Sequence, residues 1–118
     1  MKTQSLQHLA EHLRQFAADR DWEQFHSPKN LAMALSVEVA EIAEHFQWLT
    51  EEQSRDLDPA KRSEVAQELA DSLIYLVRLA DQLGIDLLEA AERKLAVNEQ
   101  KYPAEQVRGS AKKYSEYG

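Results

Sequence analysis

Apolar residues recur along this 118-residue chain with the spacing of helices, not the alternation of strands. Leu6, Leu9, Leu13 and Phe16 share one stripe and predict a first helix over roughly 5–20. A short connection follows, Asp21-Trp22-Glu23-Gln24-Phe25-His26. Ser27 before Pro28 reads as an N-cap with a first-turn proline, because a proline there gives up only an N–H that has no helical partner. The second helix it opens runs to about 49, with Leu31, Leu35, Ile42, Phe46 and Leu49 at helical spacing. After a polar connection over 50–58, Asp58-Pro59 repeats the cap-plus-proline signal, and a third helix extends to 83, where Gly84 ends it. Asp86 with Glu89 forms a capping pair for a fourth helix that stops near Tyr102-Pro103. The tail beyond Pro103, with Arg108, Gly109, Lys112 and Lys113, is expected to be extended or ordered only by contacts.

Four helices with short links predict an all-α, four-helix-bundle-like fold in a single domain over 1–118. Only three glycines and three prolines occur, at boundaries, which suits that class. No tandem repeat or low-complexity segment interrupts it. The third predicted helix is two-sided: Leu69, Leu73, Leu76, Ala80 and Leu83 line one face, while Ile74 and Tyr75 lie towards the other. A helix apolar on two sides suggests an oligomer that covers the second.

Charge and composition then narrow the function. With 21 acidic and 14 basic residues the formal net charge is −7, which offers no attraction to a nucleic-acid backbone. The absence of cysteine removes disulfide frameworks, Cys-zinc sites and thiol catalysis. No apolar run approaches the roughly 20 residues of a membrane span, and Met1-Lys2-Thr3-Gln4-Ser5 leads straight into a charged amphipathic pattern. The expectation is a soluble, cytoplasmic, acidic domain.

The chemically informative position is Glu38. At about 100° per residue it falls near the centre of the stripe formed by Leu31, Leu35, Ile42 and Leu49. A carboxylate there must be paired or take up a proton. Glu41 lies three residues on and faces nearly the same way, and the third helix carries a matching pair, Glu68 and Asp71. Glu44 and Glu64 add acid nearby. If the two pairs converge, a hard divalent cation ligated by oxygen alone, Mg²⁺ or Mn²⁺, relieves the repulsion. Solvated surface charge stands beside that reading, especially for Glu68 and Asp71, which lie away from the apolar stripe of their helix. A di-iron centre needs Glu-x-x-His on two helices, and the chain has one such string, Glu23 to His26, at a helix boundary.

Trp22, Phe25, His26 and Trp48 form an aromatic set that could sandwich a base, although tryptophan in a small helical protein more often belongs to the core. Asn98 shares a face with Leu88, Ala91 and Leu95, and with Lys101 and Tyr102 nearby it could meet a phosphate or simply close the helix.

These residues carry a resemblance. The string Arg20-Asp21-Trp22-Glu23-Gln24-Phe25-His26, then Pro28-x-Asn30-Leu31, then Glu38-Val39-Ala40-Glu41 with Phe46-Gln47-Trp48, resembles the MazG-like all-α nucleoside triphosphate pyrophosphohydrolases, most closely their dCTP pyrophosphatase branch. Glu68-Leu69-Ala70-Asp71 with Tyr75, Asn98-x-x-Lys101-Tyr102-Pro103 and the tail Ser110 to Tyr114 continue it across nearly the whole chain. The resemblance implies cleavage between the α and β phosphates, giving a nucleoside monophosphate and pyrophosphate. It implies Mg²⁺ held by Glu38, Glu41, Glu68 and Asp71, with Glu41 or Glu38 positioning or deprotonating the water. It places the base among Trp22, Glu23, Gln24, Phe25, His26, Trp48 and Tyr75, and the triphosphate near Asn98, Lys101, Tyr102 and Lys113. It also implies a homo-oligomer, a dimer or preferably a tetramer, with sites beside subunit interfaces. One departure is on the first helix, where vertebrate members carry a His among their substrate contacts and this chain has Leu13.

The leading expectation is thus a Mg²⁺-dependent hydrolase of dCTP or modified cytosine nucleotides. The same reaction on dUTP, dTTP or a broad house-cleaning range is the second. A non-catalytic helical oligomerisation or interaction module is the third.

Overall fold

The computed structural model describes residues 3–111, and among them every regular element is helical. The elements are α1 (Leu6–Asp19), a 3₁₀ turn (Glu23–Phe25), α2 (Pro28–Phe46), α3 (Glu51–Ser54), α4 (Pro59–Gln82), α5 (Leu87–Lys101) and α6 (Ala104–Val107). All four long helices expected from the sequence are present. Their N-termini start where side-chain oxygens meet the first free N–H groups. Ser5 accepts from His8 N, Ser27 from Asn30 N, Asp58 from Lys61 N and Asp86 from Glu89 N. Pro28 and Pro59 open α2 and α4 as expected.

Two segments differ from expectation. The polar connection after α2 contains the short helix α3, closed by a reciprocal capping box between Thr50 and Gln53. The tail beyond Pro103, expected to be extended or ordered only by contacts, forms in its described part the turn of α6 before Gly109 takes a positive φ of 80°.

The described chain divides into two compact units, one ending at Ile85 and the other beginning at Asp86. In the first, α4 packs along α2 and, less extensively, against α1. Leu31 is its largest fully buried side chain, among Ala10, Ala17, Val65, Val77 and Ala80. For most of its length the side of α4 that turns inwards is not its leucine stripe, of which Ala80 is buried. Val65, Glu68, Ser72, Tyr75 and Leu79, spaced three or four apart, are buried or half-buried, whereas Leu69, Leu73, Leu76 and Leu83 are exposed. Reading Glu68 and Asp71 as an outward face is therefore overturned for Glu68, which lies in the α2–α4 seam. The second unit contains α5 and α6, with Tyr102 N–H closing α5 onto the Asn98 carbonyl at 2.8 Å. No described helix is long and apolar enough to cross a membrane.

Two helix ends fix the course of the chain beside α1 and α4. At the end of α1, Asp21 adopts a positive φ of 54°, and Trp22 N–H reaches back to the Ala17 carbonyl at 2.9 Å. Asp tolerates this conformation better than most residues, and Gln24 Nε2 bridges the Asp21 carbonyl and carboxylate at 3.0 and 3.1 Å. At the end of α4, Gly84 sits at φ 67° while Ile85 N–H reaches the Ala80 carbonyl at 2.9 Å. A Cβ at Gly84 would meet nothing within 4 Å, so its only penalty is the left-handed backbone. Gly84→Ala is expected to destabilise the protein by about 1–2 kcal/mol, read as a lower thermal midpoint with unchanged helical content.

Candidate active site

The seam between α2 and α4 brings acids from both helices together. Glu38 and Glu41 are one turn apart on α2, and Glu68 stands opposite on α4. One carboxylate oxygen from each lies within 4.8 Å of the others. The Oε2 atoms of Glu38 and Glu68 and the hydroxyl of Ser72 are buried without a hydrogen-bond partner among the described residues. An orphaned buried carboxylate oxygen is expensive, so the cluster has to be neutralised by protons or by a cation. Its electrostatics say the same. Burial, then a hydrogen bond shared with Glu41, then the charges of Glu41, Asp71 and Glu68 push the Glu38 carboxyl up to about 7. Glu68 is raised too, first by its hydrogen bond with Glu41 and then by burial, against an opposing effect from His45. His45 Nε2 lies 3.9 Å from Glu68, and its Nδ1 meets Lys61 Nζ at 3.2 Å.

An all-oxygen set of this kind, half-buried and short of partners, suits a hard divalent cation. Glu38, Glu41 and Glu68 could hold it. Asp71, one turn along α4, is exposed and faces the adjoining cleft.

That cleft has a volume of about 430 Å³ and runs from Glu38 and Asp71 to an aromatic end. Leu13 and Phe16 of α1 form one wall, Trp22 and His26 of the connection another, and Ile74, Tyr75 and Arg78 of α4 the third. Trp22 meets Phe16 edge-on at 5.8 Å between centroids and His26 at 6.4 Å, while the Arg20 guanidinium covers the Phe16 ring at 3.6 Å. Arg78 is 4% exposed. Its Nε donates to His26 Nδ1 at 3.2 Å and its Nη1 approaches Asp81 at 3.4 Å. Arg14 grips the same Asp81 through two hydrogen bonds of 2.7 and 3.0 Å. Arg14 holds the Asp81 carboxyl below its usual range, and burial with the Arg78 charge lowers the His26 imidazole.

Of the residues singled out from the sequence, Glu38, Glu41 and Glu68 converge, and Asp71, Trp22, His26 and Tyr75 line the cleft with Glu38. Glu23 instead borders a separate polar pocket beside Arg14, Arg78 and Asp81. Gln24 turns back onto Asp21, and Phe25 and Trp48 are 59% and 87% exposed, away from the cleft walls. Asn98, Lys101 and Tyr102 close α5 in the second unit, and Lys113 lies outside the described residues. Sequence reasoning missed Arg78, Asp81, Arg14 and His45. A signal for Arg78 was available: it lies three residues after Tyr75 and seven after Asp71, on the same side of the helix.

Comparison with known proteins gives the family and the fold. Residues 33–117 match the MazG-like family. The chain is 47% identical to dCTP pyrophosphatase 1 of Homo sapiens and 49% identical to that of Mus musculus, over 104 residues in each case. That alignment covers 86% of this chain and 61% of each relative, so the chain spans about three fifths of their length. A pyrophosphatase from Archaeoglobus fulgidus DSM 4304, known from its crystal structure, superposes with a TM-score of 0.79 at 40% identity, covering 87% of this chain and 96% of that one.

The raised acids set a direction of pH dependence. Between the ordinary value of 4.5 and about 7, the folded metal-free protein holds a proton on Glu38 that the unfolded chain has released. Glu38 therefore makes stability fall as pH rises through that window. In chelator-treated protein, Glu38→Gln should raise the thermal midpoint at pH 8 relative to wild type and change it little at pH 5. An equal change at both values would show that the Glu38 carboxyl is not strained.

Proposed function

The chain belongs to the MazG-like family, and on that premise we propose that it is a Mg²⁺-dependent nucleoside triphosphate pyrophosphohydrolase acting on dCTP or modified cytosine nucleotides. The observation that carries the reading is the pair of buried, partnerless oxygens on Glu38 and Glu68, clustered with Glu41 at the end of an aromatic cleft. A surface-charge role would leave such oxygens in water.

In this reading Glu38, Glu41, Glu68 and Asp71 hold the ion. Bound there, Mg²⁺ supplies the positive charge that an acidic chain lacks towards a triphosphate, and the Lewis acidity for phosphoryl transfer. The protein's own groups do the rest. Water adds across the α–β phosphate linkage, the P–O bond breaks, and pyrophosphate leaves from the nucleoside monophosphate. Glu41 or Glu38, whichever is not fully engaged by the ion, orients the water and accepts its proton. Trp22 and Tyr75 line the same cleft and offer aromatic rings for the base. The dCTP preference is supported by the identity of the relatives as dCTP pyrophosphatases and by this aromatic wall. Stacking alone accepts any base, so selectivity has to come from edge contacts.

Alanine at Glu38, Glu41, Glu68 or Asp71 should reduce turnover at least about a hundredfold with the helices intact. The readout is chromatography of nucleotide products from a triphosphate panel with and without Mg²⁺. Monophosphate and pyrophosphate appear only with the metal, fastest from dCTP. Full activity of Asp71→Ala would remove Asp71 from the site.

The reading extends to assembly. Leu69, Leu73 and Leu83 of α4 are 54%, 41% and 52% exposed along one side of one helix, an apolar row suited to burial against a second copy. A homotetramer, or at least a dimer, is the state proposed. Replacing Leu69 and Leu73 together by glutamate should lower the sedimentation mass to that of a smaller species. A wild-type protein that sediments as an active monomer would overturn the assembly.

A further inference from the structure

The buried Arg78 is left without a role by the reaction above, and it touches a residue facing the cleft. A guanidinium carries only donors. The nitrogen it meets, Nδ1 of His26 at 3.2 Å, must therefore offer a lone pair. In the neutral imidazole this places the proton on Nε2. Two further features hold the arrangement. Arg78 is itself anchored, through Asp81, to Arg14 on another helix, and burial together with the Arg78 charge disfavours the doubly protonated ring. His26 Nε2 has no hydrogen-bond partner among the described residues, and His26 lines the cleft beside Trp22.

We propose that Arg78 is a positioning residue for base selection: it locks His26 as the Nε2–H tautomer, so that the aromatic end of the cleft presents a fixed hydrogen-bond donor to a base edge bearing an acceptor. The proposal rests on the nucleotide reading given above and names how its base is chosen. Cytosine presents acceptors at both N3 and O2, whereas N3 of uracil or thymine carries a proton at neutral pH. A donor held opposite N3 pairs with cytosine and leaves two donors facing each other with uracil. Discrimination arises because a group left unpaired in a closed site is penalised more than a paired one gains.

The first test needs no variant. Long-range ¹H–¹⁵N correlation on the full chain at neutral pH should show His26 Nε2 protonated and Nδ1 bare. A protonated Nδ1 would overturn the role of Arg78. The second test is the ratio of kcat/KM for dCTP over dUTP with Mg²⁺. Arg78→Met, which keeps bulk and removes every donor, should let the tautomers mix and reduce that ratio about tenfold, with the change falling on KM. His26→Ala should reduce it similarly. Arg78→Lys, retaining charge and a donor, should keep most of the selectivity and so separate donor loss from a packing defect. If Arg78→Met does not fold, Arg78→Lys and His26→Ala decide the matter through the same ratio. An unchanged ratio in His26→Ala would overturn base selection by His26. Wild-type protein with the expected tautomer but no turnover of any nucleotide would overturn the hydrolase reading and base selection together, whereas a wrong tautomer would overturn the Arg78 role alone.

Discussion

Like-charged carboxylates from α2 and α4 meet in a half-buried seam, and much of the first unit is arranged around that conflict. Glu38, Glu41 and Glu68 bring oxygens within 4.8 Å of one another, and two of those side chains have a buried oxygen with no hydrogen-bond partner among the described residues. A pair of helices held only by the hydrophobic effect would turn such residues outwards, where hydration is free. That α4 instead turns most of its leucines out and Glu68 in leaves the pairing short of a third, charge-balancing participant. Protons fill that role weakly, as the elevated Glu38 shows. A divalent cation fills it better, since it offers charge and several coordination positions at once.

The opposite end of the cleft has the opposite character. There the buried charge is positive, and it is paired within the protein: Arg78 and Arg14 share Asp81, tying α4 to α1, and Arg78 reaches on to His26 in the connection before α2. This network gives three elements a common anchor. It also fixes ring positions, because the left-handed turn at Asp21 folds Trp22 back against Phe16 just before the chain reaches His26. The cleft thus runs from an acid cluster suited to a cation to an aromatic end whose buried arginine is already committed. A ligand with a charged tail and a flat heterocyclic head matches that polarity.

The exposed leucine row of α4 follows from the same constraint. A helix has a limited circumference, and when one side is given to Glu68, Ser72 and Tyr75, most of the leucine stripe is left exposed. The acid seam and the exposed leucine row are thus adjoining sides of a single helix.

Local patterning was enough to place the elements. Ser27-Pro28, Asp58-Pro59, Asp86 with Glu89, and Gly84 each mark a helix end through backbone hydrogen bonding that involves only neighbours in sequence, and the structure places those ends within one to three residues. Glu38 was legible for a similar reason: a carboxylate in the middle of an apolar stripe is anomalous whatever packs against it. What α4 turns inwards was not legible, because hydropathy favours the leucine side and only the partner helix, with its own acids, decides otherwise. Arg78 and His26 are 52 residues apart, and Arg14 and Asp81 are 67 apart. Pairings at that range depend on how helices cross, which no local rule contains. The sequence alone thus determined the helices and the acids able to bind a cation. Tertiary structure decided which acids converge, which arginine is buried, and which nitrogen of His26 that arginine meets.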